Sequence, residues 1–156
     1  MNAYDQSLNV MNDLFVKDCQ FSLATANGSV PSVRIVDTFY DDGAFYVVAH
    51  ASTQKVKEIT ANENAALCHN LYRFSGKAQN IGHPLLPQNA DIRAKLTKAF
   101  ASWYFKHNNE QDEKMCYIRI VLTSGFFYKD GTGYAVDFAR QSADIFPFEF
   151  GITVIN

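Results

Sequence analysis

The hydrophobic pattern along the chain has a period of two for most of its length, with three stretches where it lengthens to a helical one. Tyr4, Leu8, Met11, Leu14 and Phe15 fall at helical spacing and predict an amphipathic helix over 4–15. Residues 19–26 (CQFSLATA) alternate apolar with small or polar side chains, and Asn27-Gly28 ends them as a turn. Strands are predicted over 32–40 (SVRIVDTFY) and 44–51 (AFYVVAHA), joined through Asp41-Asp42-Gly43 as a hairpin. The second is nearly continuous in apolar residues, as a central strand would be. Over 52–61, Val56 and Ile59 lie one turn apart behind the candidate caps Ser52 and Thr53, so a helix is expected.

Residues 65–72 and 74–81 return to strand character, and Pro84 and Pro87 mark a loop. The longest predicted helix covers 89–106, with Ile92, Leu96, Phe100 and Trp103 on one stripe. A polar run, 107–114, separates it from 115–123, where Cys116, Ile118, Ile120 and Leu122 share one face of a strand. A last hairpin joins 126–128 to 133–138 through Lys129-Asp130-Gly131. The tail carries an aromatic cluster, Phe146, Phe148 and Phe150, around Pro147.

Six or more short strands joined mostly by hairpins, with helices inserted, predict a β-rich (α+β) antiparallel barrel with peripheral helices, residues 1–156 forming one domain. No regular helical crossover links successive strands, which excludes a doubly wound parallel sheet. Of the 156 residues 47% are apolar and 14% aromatic, enough for a real core and too many for a disordered chain. Lys and Arg total 14 against 16 Asp and Glu, so no basic surplus favours nucleic acid or an anionic membrane surface. No apolar run approaches the roughly 18–20 residues of a membrane-spanning helix, and the start lacks the features of a secretory signal. Cys19, Cys68 and Cys116 are odd in number and lack CxxC spacing. They are expected to be reduced thiols in a cytoplasmic protein.

Most catalytic signatures are missing: no GxSxG, HExxH, P-loop or complete GxGxxG occurs. His50, His69, His83 and His107 have no metal-ligand spacing, so no metal site is expected. Gly131-Thr132-Gly133 reads as a hairpin turn, and Cys68 and His69, adjacent in a strand, point to opposite faces. One stretch stands apart. Arg34 sits mid-strand between Val33 and Ile35, where an unpaired charge is costly to bury. About 20 residues later, Ala51-Ser52-Thr53-Gln54-Lys55 joins a strand to a helix. Hydroxyls, the free N–H groups of a helix N-terminus and a lysine converge there, an arrangement suited to phosphate. An ordinary N-cap beside a surface lysine is the other reading of the same residues.

The segment 21–68 resembles the pyridoxamine 5′-phosphate oxidase-like split β-barrel flavoproteins. The likeness lies in Leu23-Ala24-Thr25, Pro31, Arg34-Ile35-Val36, Asp42-Gly43 and Ser52-Thr53-Gln54-Lys55-Val56, followed by Phe74-Ser75-Gly76-Lys77-Ala78, and covers about residues 14–138. It implies a six- to eight-stranded split barrel that binds FMN at the interface of a homodimer. Arg34, Ser52, Thr53, Gln54 and Lys55 would hold the phosphate and ribityl chain, and Ile35, Val36, Ala49 and His50 would line the isoalloxazine edge. His50 is then the candidate proton donor. Trp103, Tyr104 and the Phe146-Pro147-Phe148 cluster are candidates to cover the flavin, although Trp103 reads first as the core stripe that continues Ile92, Leu96 and Phe100. The vitamin-forming oxidases end in a Trp and Arg-Leu segment. This chain has no Trp after Trp103 and no Arg after Arg140, so that activity is not expected. The closer likeness is to general stress and nitroimidazole-resistance type members. The expected function is electron transfer from a reduced donor to a small organic acceptor. The alternative is a non-catalytic protein that stores or senses flavin, haem or a deazaflavin.

Overall fold

The computed structural model describes residues 1–149 and 151. Eight strands form one antiparallel sheet: β1 (Cys19–Asn27), β2 (Val30–Asp41), β3 (Ala44–His50), β4 (Asn64–His69), β5 (Tyr72–Asn80), β6 (Met115–Lys129), β7 (Thr132–Asp137) and β8 (Ser142–Pro147). Their order is β3-β2-β1-β4-β5-β6-β7-β8, and an added β3–β6 pairing closes the first six into a barrel. β7 and β8 extend the sheet beyond it. This is the antiparallel barrel expected from the strand spacing, in the split form that the resemblance implied.

Two hairpin turns show why the sequence reads so clearly there. Asp42-Gly43 and Asp130-Gly131 both have positive φ at two successive residues (42° and 83°, 50° and 76°), the backbone a two-residue hairpin needs. The barrel interior follows from period two. Cys116, Ile118, Ile120 and Leu122 of β6 point inward with Phe21, Leu23, Phe45, Val47 and Phe74. Helix α1 (Ala3–Phe15) drives its last residue into the core, where the Phe15 ring meets those of Phe21, Phe45, Phe74 and Phe127 at 5.7, 5.6, 5.6 and 6.2 Å. Helix α2 (Gln54–Ala61) adds Val56 and Ile59 to the same core.

The opposite face of β6 holds Met115 and Tyr117, which pack with Ile92, Leu96, Phe100 and Tyr104 into a second cluster outside the barrel. Here the single helix expected over 89–106 is divided. A 3₁₀ turn, Pro87–Asn89, leads into α3 (Ala90–Ala99), and α4 (Tyr104–His107) follows a turn. Tertiary contacts override helix propensity at the break. The Trp103 indole stacks on Phe100 at 4.6 Å while its N–H donates to Asp18, and the Tyr104 hydroxyl reaches that of Tyr117 at 2.5 Å.

Three other boundaries differ from the expected ones. The strand over 65–72 stops at His69, because Asn70 (φ 50°) turns the chain into a β4–β5 hairpin. The strand expected over 115–123 continues to Lys129, one strand pairing with both β3 and β7. The tail contributes β8, with Phe146 stacked on Phe126 and Phe148 packed on its edge. Phe150 lies outside the described residues. All three thiols are free: Cys19 is half-buried, Cys68 exposed and Cys116 buried.

Candidate functional site

The pairing of β2 creates an opening in the barrel wall. β2 pairs with β1 over residues 19–38 of the two strands but with β3 only at 39–41. β3 then runs along β6. The edge of β2 that faces away from β1 therefore carries no strand over 30–38. Val33 and Ile35 stand on this segment 68% and 69% exposed, large apolar side chains that a solvated edge does not need. Ile35 and Val36 thus lie on an open main-chain edge.

Arg34 projects from the same segment to the start of α2. Its Nη1 donates to the Thr25 hydroxyl at 2.6 Å and the Leu23 carbonyl at 3.3 Å, and its Nη2 lies 3.6 Å from Glu58 Oε2. Glu58, 5% exposed on α2, is the residue that sequence reasoning missed. Its carboxylate accepts from the Thr25 hydroxyl, from Ser32 Oγ at 3.0 Å and from Gln54 Nε2 at 2.8 Å. Those hydrogen bonds, with Thr25 the strongest, hold its pKa below the usual carboxylate range, so it is ionised at neutral pH. In the sequence Glu58 looks like any polar residue on the outer face of an amphipathic helix. Only its i+4 spacing from Gln54 gave a signal.

Lys55 is the cation left over. It is half-buried, and among the described residues it has no carboxylate partner. Burial, and then the neighbouring Arg34 charge, lower its pKa; the Cys116 thiol acts in the opposite sense. Two cations and one carboxylate leave one net positive charge at this point.

The helix N-terminus adds to that charge. Thr53 is the N-cap, but its hydroxyl donates to the His50 carbonyl at 2.7 Å rather than capping α2. The first helical main-chain bond runs from the Lys57 amide to the Thr53 carbonyl. The amides of Gln54, Lys55 and Val56 precede it and have no intrahelical acceptor. A lysine, an arginine and uncapped amides gathered here are an arrangement chemically suited to an oxyanion.

His50, at the end of β3, sits on the other side of the same turn. Its Nδ1 accepts from the Ser52 amide at 3.3 Å and contacts the Ser52 hydroxyl at 2.6 Å, so the ring proton resides on Nε2, which donates to Asp112 Oδ2 at 2.9 Å. The Lys114 amide and then His50 hold the Asp112 carboxyl below its usual range. Asp112 lies in the polar run 107–114, which the sequence pattern marked only as a separator.

The structure thus brings Arg34, Gln54 and Lys55 together, with Ser52, Thr53 and His50 at the adjoining turn and Ala49 buried in β3 beside it. Trp103 is elsewhere in the chain, stacked on Phe100 near the start of β1, and Tyr104 is fully buried. The aromatic tail is separate again. Phe126, Phe146 and Phe148 line a surface depression of about 1090 Å³ to which none of the expected phosphate residues contributes. Within one chain, neither candidate cover lies over Lys55. No group of three or more His, Cys, Asp or Glu arranged to hold a metal occurs among the described residues.

This architecture is the split-barrel, pyridoxamine 5′-phosphate oxidase-like fold. A NimC/NimA family protein from Clostridium acetobutylicum superimposes with a TM-score of 0.58 at 20% identity, covering 94% of this chain and 97% of that one. An FAD-binding protein from Mesorhizobium loti gives 0.57 at 18% identity, covering 76% and 89%. HutZ, a haem storage protein from Vibrio cholerae, gives 0.58 at 10% identity, covering 78% and 91%. At these identities the likeness is one of fold. A scan against protein-family models and a search of curated proteins find no match.

Proposed function

We propose that this chain binds FMN and acts as a flavin-dependent oxidoreductase on a small organic substrate. The observation that carries the reading is Lys55. A half-buried ammonium without a carboxylate, next to Arg34 and the uncapped start of α2, is costly unless an anion completes it. A flavin phosphate satisfies that demand, and the bare edge of β2 beyond it offers main-chain groups to the polar rim of the ring system.

In this reading Lys55, Arg34 and the first amides of α2 hold the phosphate, with Ser52 and Gln54 near the ribityl chain. Glu58 keeps Arg34, Gln54, Thr25 and Ser32 in place. When bound, FMN supplies the hydride and electron chemistry, and the chain supplies binding, orientation and proton placement. His50 keeps its proton on Nε2 against Asp112, beside the open edge. The exposed Val33 and Ile35 supply an apolar seam for a second copy of the chain, which we propose covers the ring in a homodimer. The fold likeness to an FAD-binding protein supports a flavin. The likeness to a haem storage protein points another way, but both ring nitrogens of His50 already have partners, which leaves this histidine a poor axial ligand.

The test is reconstitution. Purified protein should quench FMN fluorescence, and the bound flavin band should bleach anaerobically on addition of NADPH or NADH. Absence of quenching removes flavin binding. A bound flavin that neither donor reduces removes the oxidoreductase role and leaves storage or sensing.

A further inference from the structure

A second cavity, of about 560 Å³, lies between α3 and the outer wall of the barrel and shares no residue with the Arg34–Lys55 site. Tyr46 of β3 and Arg119 of β6 line it opposite Ile92 and Lys95 of α3, with Ile81 and Asn89 at its side. Arg119 and Tyr46 are direct register partners, so their side chains share a face of the sheet.

Arg119 is the unusual member. Among the described residues it makes no ion pair, and its Nε is buried without a hydrogen-bond partner. Buried polar groups are almost always satisfied, and a guanidinium more urgently than most. The other cation of the cavity is already paired, Lys95 Nζ lying 2.9 Å from Asp41 Oδ1. Asp41 and Asp91 are on the same lining, and Asp91, exposed in the first turn of α3, adds its field to Lys95. Burial raises the pKa of Tyr46, which keeps its hydroxyl protonated and able to donate. Asn89 is fixed by its own amide, whose Nδ2 donates to the Ile81 and His83 carbonyls at 3.0 and 2.9 Å.

We propose that this cavity binds a small organic carboxylate, its two oxygens on the terminal Nη groups of Arg119, assisted by the Tyr46 hydroxyl, and its apolar body against Ile81 and Ile92. With Nε enclosed, the planar pair of Nη groups is the edge that meets a carboxylate bidentately. Arg119 is the cation of the lining without an ion pair, and with the Asp41 and Asp91 carboxylates also on the wall the cavity suits a monoanion rather than a phosphate dianion. The isoleucines favour a ligand with a ring or branched body over a bare ion.

Benzoate is a direct probe. In ¹⁵N-labelled protein the Arg119 Nε–H gives its own resonance. Benzoate should shift it saturably, together with the amides of Tyr46, Ile81 and Ile92. Neutral benzamide should bind at least about ten-fold more weakly, because it lacks the charge that the fork reads. Arg119→Met should reduce benzoate affinity by a similar factor, while Lys98→Met, on the exposed face of α3, should not. Arg119→Gln, which keeps a polar side chain without the charge, serves if the methionine variant is unstable. The absence of a saturable shift, equal binding by the Arg119 variants, or shifts centred on Lys55 would each overturn the proposal.

Discussion

Replacing Lys55 by Met separates what this residue does for the fold from what it does for the site. Burial and the Arg34 charge both lower its pKa, so the folded protein holds the ammonium against its preference. A lysine whose folded pKa lies below its unfolded value of 10.5 lowers stability at neutral pH, and the penalty fades as pH rises through the folded pKa towards 10.5. Lys55→Met, similar in length and without charge, should therefore raise the melting temperature of the ligand-free protein at pH 7. The gain should shrink in alkaline buffer. The same change takes the net charge of the site from plus one to zero and removes a charge-assisted bond to the phosphate, worth roughly 1.5–3 kcal/mol. FMN affinity should fall by about ten- to a hundred-fold. Thermal unfolding of the free protein and fluorescence titration with FMN read the two effects independently. A variant that melts lower and binds FMN as well as wild type would refute the reasoning on both counts, placing Lys55 in a structural role and the phosphate elsewhere.

Phe15→Ala should be severe although the residue lies outside the site. It empties a position touched by four phenylalanine rings at the end of the barrel, a loss of roughly 3–5 kcal/mol, visible as a fall in melting temperature of about 10 °C or more. A fall of only a degree or two would mean that α1 does not seal the barrel. Asp37→Asn should stabilise. Burial, and then the hydrogen bond with Asp18, raise the Asp37 pKa above 3.8, so its charge lowers stability once pH rises through that window. Melting temperatures of variant and wild type should converge below pH 3.8 and separate at pH 7, with the variant higher. The opposite order at pH 7 would overturn the assignment.

Much of the fold was legible because local rules and the final structure agree. The Asp-Gly hairpins, the inward series Cys116 to Leu122 and the stripe Ile92, Leu96, Phe100 each follow from a period or a turn preference. The structure departs where long-range contacts decide. Nothing local distinguishes Phe100 as a helix end from Phe100 as one more member of a stripe, because the break serves contacts with Asp18 and Tyr117. The length of β6 likewise depends on partners on both flanks, and β8 on an edge that β7 offers. At the site, the strand-to-helix junction that carries Ser52 to Lys55 was readable from residue types and spacing. Glu58 and Asp112 were not, since a buried carboxylate and an exposed one look alike until the fold brings Thr25, Ser32 and Arg34, or His50, within reach.

The central claim is that this chain recognises a flavin through its phosphate, and a comparison of FMN with riboflavin tests it most directly. The two share the ring system and ribityl chain and differ only in the group that Lys55, Arg34 and the start of α2 would hold. Titrated side by side by fluorescence quenching, FMN should bind at least about a hundred-fold more tightly, the loss of two charge-assisted bonds. The difference should narrow with added salt, which screens the half-exposed part of the site. Equal affinity for the two, or binding of neither, would contradict the account.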